Sequence, residues 1–141
     1  MTIRMLKDEE WAQAVTLAAD AGLPVADLAV GRQTLWGAFE GGAVAGVVGT
    51  QAFGTVTLLR TLVVAPEFRG RGVASALTDY LWASHRGAHW VLLTETAEDF
   101  FRRRGFLSVD RESVPAAVRA SAEFQGLCPV SAVCLVRLDK A

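Results

Sequence analysis

The chain has 141 residues, 52% of them hydrophobic and 21% charged, and a net charge of −1. That length suits a single domain, residues 1–141, with a sizeable core, and the charge balance gives no global case for nucleic-acid binding. No apolar run reaches membrane-spanning length, the first residues read as a strand and helix rather than a signal peptide, and two cysteines, Cys128 and Cys134, are too few for a disulfide scaffold and lack a zinc spacing. A reduced, cytoplasmic protein that binds neither membrane nor nucleic acid is expected.

Residues 2–5 are a short strand candidate. Asp8 is placed to cap a helix, with Glu9 and Glu10 favourable in its first turn, and Trp11, Val15 and Ala18 share one face of it. Gly22 ends this helix, and Pro24 begins a short second one through Leu28. Residues 33–39 read as a strand, Glu40-Gly41-Gly42 as a hairpin turn, and 43–52 as the returning strand; Phe53-Gly54-Thr55 turns again into a central strand. Hairpin links imply antiparallel pairing among these strands.

The central strand and the loop after it carry the chemistry. Leu58, Leu59, Leu62, Val63 and Val64 form an apolar, strand-length run that Pro66 stops. Then come Arg69-Gly70-Arg71-Gly72-Val73-Ala74 and a helix with Val73, Leu77 and Leu81 on its buried stripe. A helix start carries unpaired N–H groups and the positive end of the macrodipole, and glycines let a ligand approach the backbone. The loop therefore offers a nest of donors, with Arg69 and Arg71 adding charge, to a phosphate or pyrophosphate. A P-loop is excluded because no lysine follows either glycine. A Rossmann fingerprint lacks its third glycine, and five residues, Ala65 to Arg69, intervene after the strand; Glu95 would imitate its ribose-binding acid, but the preceding hairpins do not fit a βαβ series. The pattern [QR]-x-x-G-x-[GA], met by Arg69, Gly72 and Ala74 and preceded by Leu62-x-Val64-x-Pro66, resembles the acyl-CoA loop of the GNAT N-acetyltransferases.

Gly87 terminates the helix, and residues 89–94 are a second apolar strand, parallel to the first. His85 and His89 lie on different elements with no third ligand suggested, so no metal site is expected. Thr96 is placed to cap the next helix with Asp99 at the capping-box position. Ala97-x-x-Phe100-Phe101-x-x-x-Gly105-Phe106 resembles the GNAT signature A-x-x-F-Y-x-x-x-G-F, at the right distance after the first motif. Arg102, Arg103 and Arg104 near that helix's C-terminus suit its dipole. Residues 115–120 suggest a short helix, and 130–138 a strand that closes the sheet. The tail from Val114 to Cys134 is similar to a subgroup of small GNAT proteins associated with arsenic resistance.

The resemblance implies an α/β (mixed α+β) GNAT fold: a mostly antiparallel sheet with a central parallel strand pair, flanked by helices, in a monomer or homodimer. It implies an acyltransferase that moves an acetyl group from acetyl-CoA, its co-substrate, to the amine of a small molecule, with amino-acid-like and arsenic-related compounds as acceptor classes. A catalytically weak acyl-CoA-binding sensor is the alternative. Leu62, Val63 and Val64 would pair with the pantetheine arm, and Arg69, Gly70, Arg71, Gly72, Val73, Ala74 and Ser75 would hold the pyrophosphate. Thr94 occupies a position where many relatives have a pantetheine-binding asparagine, and the segment around residues 8–28 would cover the acceptor. The sequence departs from the family at the acid and one base: Phe101 stands where a tyrosine is usual, and Leu58 where a glutamate is. Glu95 is the best remaining base, acting through water, with a solvated loop carboxylate as the alternative reading. Arg60 is costly to bury in an apolar strand without an anionic partner. Strand alternation puts it on one face with Leu58, Leu62 and Val64 unless a bulge intervenes. It either forms an internal ion pair, with Glu95 as partner, or aims its fork at an acceptor's carboxylate, phosphonate or arsonate.

Overall fold

A computed structural model describes residues 1–138. The elements run β1 (Thr2–Met5), α1 (Trp11–Asp20), β2 (Thr34–Glu40), β3 (Ala43–Phe53), β4 (Val56–Val64), α2 (Val73–Ser84), β5 (His89–Thr94), α3 (Glu98–Arg102), β6 (Leu107–Val109), α4 (Ala116–Arg119) and β7 (Val133–Leu138). The strands hydrogen-bond in the order β1-β2-β3-β4-β5-β7-β6. The β1–β2 and β2–β3 pairs are antiparallel, β4–β5 is parallel, and β7 pairs antiparallel with both β5 and β6. This is the expected mixed sheet with a parallel pair in it. Among the described residues no helix is long and apolar enough to cross a membrane.

The chain clusters into two compact units, residues 1–51 with 60–86 and residues 52–59 with 87 onward. Residues 139–141 of the expected domain lie outside the described residues. In the first unit, α1 buries Trp11, Ala14 and Ala18 against Leu35, Val47 and Val63. Glu10, not Asp8, organises the start of this helix. Its carboxylate accepts the Lys7 N–H at 2.7 Å and two Arg4 N–H groups at 2.8 and 3.0 Å. The bonds from Arg4, then that from Lys7, hold the Glu10 carboxyl down at about 2. The expected helix from Pro24 is absent: this segment makes turns, with Leu28 N–H on the Val25 carbonyl at 3.1 Å. Its polar groups bond outward instead, Asp27 to Arg60 and the Ala29 N–H to Gln33, which outweighs a short helix's weak propensity.

Gly46 sets how α2 lies on β3. A Cβ there would come within 2.8 Å of Val73 Cγ1 and 3.0 Å of the Val63 carbonyl. Only a glycine strand surface admits the first turn of α2 that closely.

The second unit packs Leu58, Val91, Val114, Val118 and Cys134 together. β6, unanticipated in the sequence, pairs with β7 over Leu107–Val109. Burial pushes the Cys134 thiol up to about 11, with Asp110 adding to the rise and Arg111 opposing it. The folded state therefore favours the neutral thiol. The resulting stability is complete below pH 9, the unfolded value, and is lost as pH rises through 11. We expect iodoacetamide to leave Cys134 unmodified in the native protein at pH 8 and to label it once guanidinium unfolds the chain. Peptide mass mapping reads both states, and native labelling at pH 8 would contradict the burial.

Candidate active site

β4 reaches the loop through a kink. Thr61 has φ 58°, the one non-glycine residue with positive φ among the described residues. A β-branched residue in that region is a true outlier and bends the strand out of simple alternation. Val63 accordingly turns into the α1 core while Leu62 and Val64 stay half-exposed. Ala65 continues β4's hydrogen bonding, its N–H on the Ala45 carbonyl at 2.8 Å.

Pro66–Phe68 form a single 3₁₀ turn, and the backbone then passes through Arg69 to Gly70 and Gly72, both at φ 76°. A Cβ at either glycine would meet nothing within 4 Å. Their requirement is therefore conformational, and packing does not explain them: the left-handed region admits glycine at no steric cost, and the space beyond is open. Gly72 is the N-cap of α2, with no side-chain cap bond and no acidic residue in the first turn. The twelve-residue helix thus presents an uncapped, positively polarised end. Val73 is buried and anchors that end against β3 beside Gly46, while Ala74 and Ser75 are half-exposed. Arg69 and Arg71 are exposed, and among the described residues no salt bridge engages either. Arg69 Nε donates to the Val64 carbonyl at 3.4 Å, and the Arg71 guanidinium lies 5.4 Å from the Phe68 ring centre. An uncapped helix N-terminus, two glycines with open space beside them and two exposed cations without a carboxylate partner among the described residues are features that suit an anion.

Arg60 is occupied elsewhere in the same unit. Its side chain is fully buried and ion-paired with Asp27, not with Glu95. Nη1 donates to Asp27 Oδ2 and Nη2 to Oδ1 at 2.7 Å; Nη2 also meets the Pro24 carbonyl at 3.3 Å and Nε the Thr61 hydroxyl at 3.2 Å. Gln33 adds a bond to the Asp27 carbonyl at 3.2 Å. Asp27 escapes sequence reasoning because it reads as part of a surface helix; an arginine in an apolar strand signals that some anion is needed, without saying which.

The other selected residues fall in the second unit. Thr94, at the end of β5, is half-exposed, and its hydroxyl accepts the Ala97 N–H at 3.0 Å. Thr96 therefore does not cap α3, whose N-cap is Ala97. Glu95 is exposed, its carboxylate accepting the Ser131 hydroxyl at 2.9 Å. Phe101 is 2% exposed, edge-on to Phe100 and Phe106 with centroids 5.0 and 5.2 Å away. Leu58 is wholly buried in an apolar cluster. The structure so gathers Leu62–Ser75 in one unit and Thr94, Glu95 and Phe101 in the other.

The acetyltransferase (GNAT) domain model matches residues 31–107. No curated protein matches the sequence. Among solved structures, N-acetylglutamate synthase from Neisseria gonorrhoeae, complexed with coenzyme A and N-acetyl-glutamate, superposes with a TM-score of 0.80 at 16% identity, covering 99% of this chain and 35% of that one. This chain thus spans about a third of that enzyme's length. Rv2747 from Mycobacterium tuberculosis, in complex with CoA, gives 0.78 at 20% identity, covering 98% of this chain and 99% of that one. The ribosomal-protein-S18-alanine N-acetyltransferase from Escherichia coli gives 0.71 at 15%, covering 99% and 95%. At these identities the likeness is one of fold.

Proposed function

The chain belongs to the GNAT acetyltransferase family, and from that premise we propose that it transfers the acetyl group of acetyl-CoA to the amine of a small molecule in the cytoplasm. The observation that carries this reading is the open cradle at Gly70 and Gly72 on the uncapped start of α2. The pyrophosphate takes the N–H groups of Gly70 to Ser75, with Arg69 and Arg71 beside it. The pantetheine arm lies along the backbone of Leu62, Val63 and Val64 as an added strand would. Thr94 and Phe101 enter the cofactor set by their place in the family pattern.

In the reaction the amine nitrogen attacks the thioester carbon. An N–C bond forms, the C–S bond breaks, and the amine's proton leaves to a base while the departing thiolate takes up a proton. Glu95 is the proposed base, through water, since its carboxylate is exposed and already accepts a hydrogen bond. The thiolate takes its proton from water, because a phenyl ring has none to give. Holding the two substrates in line is then the main source of rate. Arg60 is left out of the acceptor site because Asp27 meets its charge.

The test is incubation with acetyl-CoA and a pooled amine panel of amino acids, aminophosphonates, arsenic-containing amines and polyamines, read by mass spectrometry. Acetylated product from any pool supports the reading. Acetyl-CoA binding without any product favours the non-catalytic sensor, for which the buried phenyl ring of Phe101 and the apolar Leu58 are the specific observations. The arsenic-containing pool also addresses the tail's resemblance to the arsenic-associated subgroup.

Phe101→Tyr separates these further. The added hydroxyl enters an apolar ring cluster, where an unsatisfied donor costs about 1–3 kcal/mol. We expect the melting temperature to fall by about 3–10 °C and turnover to rise less than about tenfold. A gain of several hundredfold would instead identify an enzyme impaired by its missing acid.

A further inference from the structure

We propose that Arg60 and Asp27 are positioning residues: their buried ion pair holds the left-handed kink at Thr61 and so sets the course of the Leu62–Val64 backbone. The inference rests on the assignment of that backbone to the cofactor arm. Thr61 at φ 58° is a conformation that a β-branched residue keeps only where its surroundings over-determine it. Here they do. Arg60 Nε grips the Thr61 hydroxyl at 3.2 Å, and the same guanidinium is clamped by both oxygens of Asp27 and by the Pro24 carbonyl. Asp27 is in turn fixed by Gln33, itself 5% exposed, whose Nε2 reaches the Asp27 carbonyl and carboxylate at 3.2 and 3.4 Å. The Ala29 N–H closes the arrangement on Gln33 Oε1 at 3.0 Å.

The kink decides which side chains face the α1 core. A regular strand would put Arg60 and Leu62 on one face and Val63 on the other. In the structure Arg60 and Val63 share a face. Val63 packs in the cluster with Leu35 and Val47, and a Cβ built on Gly49 would lie 3.1 Å from Leu35 Cδ2 and 3.3 Å from Arg60 Cγ. Leu62 and Val64 are turned the other way and stay half-exposed. Relaxing Thr61 to extended backbone would exchange the two sets, as any one-residue change of alternation does. The peptide groups offered to the cofactor arm would be redirected with them. A carboxylate and a guanidinium buried at this point thus act on the cofactor through the backbone, without touching it.

The test is a double-substitution cycle on the full chain, read as acetyl-CoA affinity by calorimetry, with circular dichroism checking each fold. Asp27→Asn keeps the shape and removes the charge that clamps the fork. In the wild-type background it should weaken acetyl-CoA binding about tenfold, the scale of one residue's backbone strain. Thr61→Gly occupies the left-handed region freely. In that background the same Asp27→Asn substitution should cost less than about twofold, the non-additivity expected of coupled sites. A merely structural pair would lower melting temperature in both backgrounds and leave affinity uncoupled. Equal losses of affinity in the two backgrounds overturn the proposal, as does an Asp27→Asn protein that binds like the wild type. If Asp27→Asn does not fold, Arg60→Lys, which keeps the charge and loses the fork, goes through the same cycle with the same criteria. Failure of the wild type itself to bind acetyl-CoA removes the cofactor reading and this one with it, and is told apart because no substitution is involved.

Discussion

Gly72→Glu is expected to abolish acetyl-CoA binding in a protein that still folds. Two effects act together. The residue sits at φ 76°, where any side chain costs about 1–2 kcal/mol relative to glycine. That is tolerable in a domain of this size, and no neighbouring atom lies within 4 Å of the new Cβ to be displaced. The carboxylate, however, arrives at the N-cap of α2, where it satisfies the helix dipole that the pyrophosphate would otherwise use. The ligand then meets a like charge at its strongest anchor. Affinity should fall at least about a hundredfold, some 3 kcal/mol, while far-UV circular dichroism is unchanged. The melting temperature should move little, since the new charge favours the helix start while the new side chain strains the backbone. Unchanged affinity in a folded Gly72→Glu protein would remove the loop from the cofactor site. Gly72→Ala isolates the strain: it should lose far less affinity than the glutamate.

Much of this was legible in the chain because the signals were local. Gly70 and Gly72, alternating with Arg69 and Arg71 at a strand-to-helix junction, announce a tight glycine turn, and both have left-handed backbone. Glu40-Gly41-Gly42 announced its hairpin, and β2 and β3 lie on either side. The misses are tertiary. Asp27 lies in a segment with a plausible helical pattern, and only the buried Arg60, distant in sequence, makes it a turn. Thr61 has no signature at all: threonine in a strand pattern reads as ordinary, and its positive φ is imposed by what Arg60 and Asp27 do around it. Gly46 was readable in principle, since a glycine inside an apolar strand marks close backbone approach, but the strand gave no hint that α2 was the partner. Glu10 replaced Asp8 as organiser because Arg4 was within reach, a contact that capping preferences do not encode.

The largest effect on stability should come from Arg60→Met. Methionine fills the volume of the arginine stem but leaves the Asp27 carboxylate, 10% exposed in the ion pair, without its cation. Breaking one partner of a buried pair costs about 3–5 kcal/mol, because the remaining charge has lost both water and neighbour. At this chain length that corresponds to a melting temperature lower by about 10–20 °C. The reverse outcome is expected when both partners go. Arg60→Met combined with Asp27→Leu removes both desolvated charges, and apolar replacements of buried pairs are often neutral or better. The double variant should therefore recover most of the lost melting temperature in thermal denaturation followed by circular dichroism. If the single variant melts like the wild type, the pair is not buried as described. If the double variant melts as low as the single, the loss comes from packing around Gly49 and Leu35 rather than from an orphaned charge. Stability and affinity should then part company. The double variant regains its fold but has no clamp on Thr61, so its acetyl-CoA binding should stay weak where its melting temperature does not. That divergence is expected only if the pair serves the cofactor strand, since a pair kept for stability alone would be replaced without cost to either.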